Sequence, residues 1–225
     1  MADDTTLTST TGFYGYDFYL DLDNDGTPLD LLNVHAPEDY KQFSQELRIA
    51  SPQGNKIEYL AGIYYQHDKL NIIQDVSYFV LNGMIAGAAG TPGGAFLAPV
   101  VPHLPLGQSI RVTQTEDIFS AFASVTWNIS DQFKLNGALR GSIVDKDFDW
   151  LHYHGTANDR FGDITPLPAD AQAAIDMWGL LGHSGQQRLH RSDKALMPSV
   201  RLQYDPTADL MFYASYNRGF KAGGF

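Results

Sequence analysis

Between residues 119 and 143 hydrophobic and polar positions alternate with a period of two. Phe119, Ala121, Ala123, Val125, Trp127 and Ile129 fall on one face, and Ser120, Ser124, Thr126, Asn128 and Ser130 on the other, with Phe122 as the exception. After a short polar turn at 130–132, Phe133, Leu135, Gly137, Leu139, Gly141 and Ile143 share a face opposed by Lys134, Asn136, Arg140 and Ser142. An extended strand sends successive side chains to opposite sides, so the pattern predicts a hairpin with one apolar face.

The same pattern recurs on either side. Phe43, Leu47 and Ile49 alternate with Ser44, Glu46 and Arg48, and after a turn at 51–55 the run Ile57, Tyr59, Ala61, Ile63 and Tyr65 follows. Further on, Leu196, Val200, Leu202 and Tyr204 alternate with Ser199, Arg201 and Gln203; residues 205–209 turn the chain, and Leu210, Phe212, Ala214 and Tyr216 continue it. With a first segment near 5–22, rich in Thr and then in Tyr and Phe, the chain is predicted to hold about seven strands.

Short and long connections alternate between these strands. The tight turns stand against long connections near 23–39, 79–112 and 151–192. Both ends of a soluble sandwich meet the same water, so nothing in that fold selects the parity. A barrel across an outer membrane does select it, because one end carries short periplasmic turns and the other long external loops. In this reading the apolar face meets lipid, and Glu46, Arg48, Lys134, Arg140 and Arg201 face a wet interior. Trp127, Phe133, Tyr204 and Phe212 would form a belt beside the short turns, and Phe13, Tyr14, Tyr16, Tyr65 and Trp150 one toward the long loops.

Composition narrows the classes further. Aromatic residues make up 12% of the 225, charged residues only 18%, and there are 21 Gly, which suits an aromatic-rich all-β chain. A balance of 15 basic against 26 acidic residues, net −11, argues against a nucleic-acid-binding surface. With no Cys there is neither a disulfide framework nor a thiolate ligand. The longest apolar stretches, near 76–89 and 95–105, are broken by Gly, Asn or Pro and fall short of the roughly 18 residues of a membrane helix. The first residues show neither a basic nor an apolar signal-peptide region, so no secretory signal is read in this chain.

Three segments resemble the β-barrel of TonB-dependent outer-membrane receptors. They are FSQELRIASP at 43–52, YLAGIYY at 59–65 and, most specifically, FYASYNRGFKAGGF at 212–225. The resemblance implies an antiparallel transmembrane barrel of about 22 strands around a plug, which about seven strands cannot close. On that basis the chain is expected to be a piece from the middle of the barrel, without plug, TonB segment or remaining strands. The resemblance also implies a cell outer-membrane location, contact with outer-membrane lipid, a TonB complex reached through the plug, and uptake of a scarce ligand. Siderophore-iron comes first, then a vitamin or oligosaccharide. The rival readings are a passive outer-membrane porin and a soluble β-sheet carbohydrate-binding module.

Candidate chemistry is sparse, and neither a catalytic residue nor a cofactor site is assigned. Asp21, Asp23, Asp25 and Gly26 match the first half of an EF-hand-type calcium loop, but the twelfth position, where a bidentate Glu belongs, is Leu32. The sequence therefore leaves calcium binding open, with a solvated acidic loop as the alternative. His152 and His154 share one strand face, a geometry open to a transition metal, but no third ligand stands at a fixed spacing. A short helix over 169–181, ended by Gly182, is predicted in the last long connection, with Ile175, Trp178 and Leu181 on one stripe. The Gly/Pro/Ala-rich run at 87–105 reads as loop punctuation, since no phosphate-binding glycine motif occurs in it. No nucleophile–base arrangement or carboxylate pair has context, so the chain is not expected to be an enzyme.

Overall fold

The computed structural model describes residues 5–225. The first four positions, part of the stretch read for a secretory signal, lie outside them. Seven long strands, β1 (Thr6–Phe18), β4 (Glu38–Ala50), β5 (Ile57–Ser77), β6 (Leu106–Asn128), β7 (Phe133–Ala157), β9 (Gly185–Thr207) and β10 (Leu210–Asn217), form one antiparallel meander in that order. Three short strands, β2 (Asp21–Asp23), β3 (Asn33–His35) and β8 (Ile164–Pro166), lie in the connections between them. The sheet does not close: β1 and β10 are the two ends of the path. Among the described residues no helix is long and apolar enough to cross a membrane.

The predicted parity of connections holds. Turns at 51–56, 129–132 and 208–209 gather at one end, and connections at 19–37, 78–105 and 158–184 at the other. At the first tight turn Gly54 has φ +85°, a left-handed conformation that costs a side-chain-bearing residue about 1–2 kcal/mol. The Gly54 N–H donates to the Glu58 carboxylate at 2.8 Å, which ties the turn to the start of β5.

Register fixes which residues share a face. Phe119 lies opposite Ile143 and Tyr65, Ala123 opposite Leu139 and Ala61, and Trp127 opposite Leu135 and Ile57. The same face continues through Leu47 and Ile49, through Leu196, Val200 and Leu202, and onto Leu7 and Phe212. On β6 this apolar band runs from Trp127 to Phe119, about 26 Å along the strand, close to the roughly 25 Å apolar height of outer-membrane barrels before strand tilt is allowed for. Its large side chains are exposed; Ile63 keeps 58% and Phe119 52% of its surface. Beyond Phe119 the face turns polar, through Asp117, Thr115 and Thr113 on β6, Asp145, Asp147 and Asp149 on β7, and Lys194, Ser192 and His190 on β9.

Two aromatic belts bound the band, with one correction. Phe13, Phe43, Tyr65 and Phe119 form a continuous row, with ring centroids 5.1, 6.3 and 4.7 Å apart in turn. At the turn end Phe133 stacks on Tyr204 at 4.4 Å, beside Trp127 and Phe212. Tyr14, Tyr16 and Trp150, assigned from sequence to the loop-side belt, are on the opposite face: they pair with Gln42, Tyr40 and Val112. Tyr14 and Tyr16 stand one and three residues from Phe13, and Trp150 seven from Ile143, which lies opposite Phe119; an odd step along a strand reverses direction.

The strands are also longer than the alternation indicates. β5, β6, β7 and β9 hold 21, 23, 25 and 23 residues, so 23 residues span about 76 Å, more than twice a hydrocarbon core of about 30 Å. The connections expected near 79–112 and 151–192 thus shrink to 78–105 and 158–184, because beyond the apolar band the outward face turns polar while Leu106, Ser109, His152 and His154 are buried beneath the loop cluster, so the outer parts of these strands do not alternate.

Candidate functional site: the loop cluster and the inner barrel wall

The face opposite the apolar band is a polar wall. Glu46, Arg48, Lys134, Arg140 and Arg201 all lie on it, as the alternation predicts. Arg140 donates to the Ser120 and Ser142 hydroxyls at 3.0 and 3.4 Å, and these two hydroxyls are 2.8 Å apart. The Arg140 guanidinium also lies 5.7 and 6.0 Å from the ring centres of Tyr64 and Phe122. Phe122, which breaks the alternation in sequence, is thereby explained as an aromatic shelf for a cation. Higher on the wall Lys146 pairs with Glu116 directly across the ladder.

Above the wall the three long connections pack on one another. The second folds into α1 (Leu81–Ala89) and a 3₁₀ segment (Ala95–His103); the third holds β8 and α2 (Ala169–Trp178). Ile85, Leu97, Val100, Leu106, Ala171 and Ile175 are buried together as a small core, with Trp178 and Leu181 packed against it. The run at 87–105 is therefore structured, in part as a 3₁₀ segment, rather than punctuation. The predicted helix is present but ends at Gly179, which takes the left-handed cap with φ +73°, and not at Gly182. Its buried stripe is Ala171, Ala174 and Ile175, and the neighbouring connection supplies the partner.

The acidic motif of the first connection is spoken for residue by residue. Asp25 accepts from the Thr27 hydroxyl and N–H and from the N–H groups of Leu31 and Leu32, closing its own turn. The Thr27 hydroxyl leads in holding the Asp25 carboxyl well below the usual carboxylate range. Asp21 bonds to His35 Nδ1 at 2.7 Å, and Asp23 accepts from Arg160 at 2.9 Å. The three carboxylates are each turned to a different donor instead of converging on a shared centre. Arg160 also reaches Asp30 at 2.7 Å and Asn33 at 3.3 Å, and so staples the first connection to the third. Sequence reading missed Arg160, since its partners lie more than a hundred positions away.

His152 and His154 do meet, with ring centroids 4.8 Å apart, but both rings are used to hold α2 in place. His152 Nδ1–H donates to the His183 carbonyl at 2.8 Å. Gln172 clamps His154: its carbonyl oxygen accepts from the His154 backbone N–H at 2.9 Å, and its amide donates to His154 Nδ1 at 2.6 Å. Asp176 lies 3.5 Å from the same ring nitrogen and accepts from the Ser184 N–H. Among the described residues no group of three or more His, Cys, Asp or Glu is placed to hold a metal ion.

Burial, followed by the neighbouring His152, lowers the His154 pKa below its ordinary value. The folded loop thus keeps His154 neutral, whereas the unfolded loop takes up a proton near pH 6.5. This contribution to stability is complete above about pH 6.5 and is lost as pH falls below it. Hydrogen exchange across residues 169–184, corrected for intrinsic rates, is expected to stay level from pH 7.5 to about 6.5 and then to speed up, by at most about tenfold per pH unit, on further acidification to 5.5. His154→Gln should flatten that dependence; an unchanged slope in the variant would assign it to another group.

The chain matches the family described as TonB dependent receptor-like, beta-barrel, over residues 2–225. Among solved structures it is similar to the ferric yersiniabactin uptake receptor FyuA from Yersinia pestis, with a TM-score of 0.64 and 16% identity over 96% of this chain and 26% of that one. It is also similar to the siderophore receptor PiuA from Acinetobacter baumannii, with a TM-score of 0.53 and 12% identity over 96% of this chain and 30% of that one. At these identities the likeness is one of fold, and the chain spans between a quarter and a third of each receptor's length. Seven antiparallel strands with an outward apolar band, a polar inner wall and long connections at one end are thus a sector of a β-barrel, and the chain belongs to the TonB-dependent receptor family.

Proposed function

We propose that this chain is the loop-bearing sector of an outer-membrane receptor that captures a ferric siderophore at its external end and passes it inward with energy delivered through TonB. The packed loop cluster standing above a polar wall carries this reading. A rigid cap of that kind holds binding groups in place at small entropic cost, and a polar wall suits contact with a plug. Lipid on one face, a TonB complex through the plug, and the siderophore above are the partners it implies, with a vitamin or oligosaccharide as the other ligands to test.

Charge narrows the ligand. The three long connections contain eight Asp, at 21, 23, 25, 30, 159, 163, 170 and 176, against the single cation Arg160. Such a field opposes a trianionic catecholate chelate and suits a neutral or cationic one, of hydroxamate type.

The test uses the full-length receptor that contains this chain. Its binding of hydroxamate and catecholate iron complexes is measured by fluorescence quenching, and uptake is followed in iron-starved cells with and without TonB. Preferred hydroxamate binding, uptake lost without TonB, and affinity lowered about fivefold or more in Arg160→Gln, which frees the first connection, are expected. Uptake that persists without TonB would instead support a passive porin. A detergent-free monomer that binds sugar would support the carbohydrate-binding module.

A further inference from the structure

The row of rings Phe13, Phe43, Tyr65 and Phe119 marks the outer edge of the apolar band. On the same outward face, two residues above Phe43, stands Lys41, and directly across the ladder from it stands Lys69. That step lifts the two ammonium groups' backbone positions about 7 Å above the rings, while headgroups extend about 5–7 Å beyond the hydrocarbon on each side. The lysines therefore sit at the depth where lipid phosphates lie.

The two side chains are an unusual pair for a chain with 26 acidic residues and 15 basic ones. Like charges directly opposite in an antiparallel ladder repel and destabilise it. Lys41 is offset by Asp39 at 3.1 Å, whereas Lys69 makes no ion pair among the described residues. His67, the next residue inward on the same face of β5, is engaged by Asp117 at 2.9 Å, so its bond is turned away from the lysines. Between them lies an open groove of about 510 Å³ lined by Phe13, Gly15, Lys41, Phe43, His67 and Lys69. Its lower wall is aromatic and its upper wall cationic. Gly15, opposite Lys41, contributes no side chain to fill it.

The geometry points to a binding site for a lipid of the outer leaflet whose phosphate headgroup carries a net negative charge. The phosphate lies between Lys41 and Lys69 and gives Lys69 the anionic partner that Asp39 gives Lys41, while the first acyl carbons run down over Phe13 and Phe43. A free phosphate offers the same charge but gains nothing from the rings, which is why the lipid is the occupant. This inference rests on the membrane-spanning reading of the barrel but not on TonB coupling or on the identity of the transported ligand.

Native mass spectrometry of the full-length receptor in detergent, titrated with short-chain phosphatidic acid, phosphatidylcholine or inorganic phosphate, tests it. Phosphatidic acid is expected to bind preferentially. Each of Lys41→Gln and Lys69→Gln should reduce that preference about fivefold and the double variant about 25-fold, on about 1 kcal/mol per lysine at an anionic surface. Lys134→Gln, on the inner wall at the far end, should leave it unchanged. Because the lysines repel each other, the double variant should keep the wild-type heat-modifiable migration, so a lost preference would not reflect misfolding. Equal binding of phosphatidylcholine, an unchanged preference in the double variant, or displacement by inorganic phosphate at the same concentration would each overturn the lipid site while leaving the barrel intact. A receptor that stays monodisperse without detergent would overturn the barrel and the site together.

Discussion

Val125→Arg and Leu139→Arg are each expected to destabilise the inserted barrel by about 2–4 kcal/mol, whereas Ser124→Arg and Asn136→Arg are expected to insert almost normally. Val125 lies opposite Gly137 and Tyr59, and Leu139 opposite Ala123 and Pro198, all on the outward face and between the two aromatic rows. A guanidinium at Leu139, midway between the rows, has only acyl chains around it, whereas Val125 stands one outward position from Trp127, so its cost falls at the lower end of that range. Ser124 lies one residue from Val125 and Asn136 three from Leu139, both on the wall that already holds Arg140 and Arg201, where Asn136 donates to the Thr126 hydroxyl at 2.8 Å. The comparison is internal, since each pair shares strand and new side chain and differs in facing; Val125 and Ser124 also share depth to within one residue. Folding yield of the full-length receptor in liposomes, read by heat-modifiable migration, measures it. Equal yields for the two sets would contradict the facing.

The second large effect concerns the loops. Ile175→Ala removes a fully buried side chain from the small core shared by α1, the 3₁₀ segment and α2, at a cost of about 2–5 kcal/mol. A core this small has few other contacts to absorb the loss, so the cluster should open as one unit. Amides in 81–89 and 169–178 are then expected to exchange at least roughly 30-fold faster together. Those in 119–127, held by the ladder on both sides, should not change. Acceleration confined to 169–178 would mean that the two connections fold independently. If the cluster holds the ligand, the same variant should weaken capture without altering insertion.

These two predictions come from regions of unequal legibility. The hairpin from 119 to 143 is readable because one face meets lipid and the other a polar wall, so its side chains separate cleanly by parity. Above Ile143 the same strand carries Asp145, Lys146, Asp147 and Phe148: the outward face has become acidic and the inward one holds a charge and a ring, so nothing in the order of residues distinguishes strand from loop. The helix α1, LNGMIAGAA, contains two of the chain's glycines and lacks a side-chain cap; it is held by packing against the 3₁₀ segment and α2 rather than by local preference. Asp21, Asp23 and Asp25 look like a metal loop in sequence because spacing alone does not reveal that Arg160, His35 and Thr27 have taken the carboxylates. The belt error at Tyr14 and Tyr16 has the opposite origin. There the residue type was informative, but facing in a strand turns on a single position.

The central claim is that one face of these strands meets lipid between the two aromatic rows. The 225 residues contain no Cys, so single Cys substitutions across 113–127, made in the full-length receptor with any Cys outside these residues replaced and each carrying a nitroxide, report facing position by position. Collision rates with oxygen in lipid and with a water-soluble nickel complex are then compared. Positions 119, 121, 123, 125 and 127 are predicted to favour oxygen, with 120, 122, 124 and 126 favouring nickel, and the alternation should end at 117, where the outward face becomes polar. Preferential access of nickel at every position, or an alternation running unbroken through 117, 115 and 113, would contradict the account.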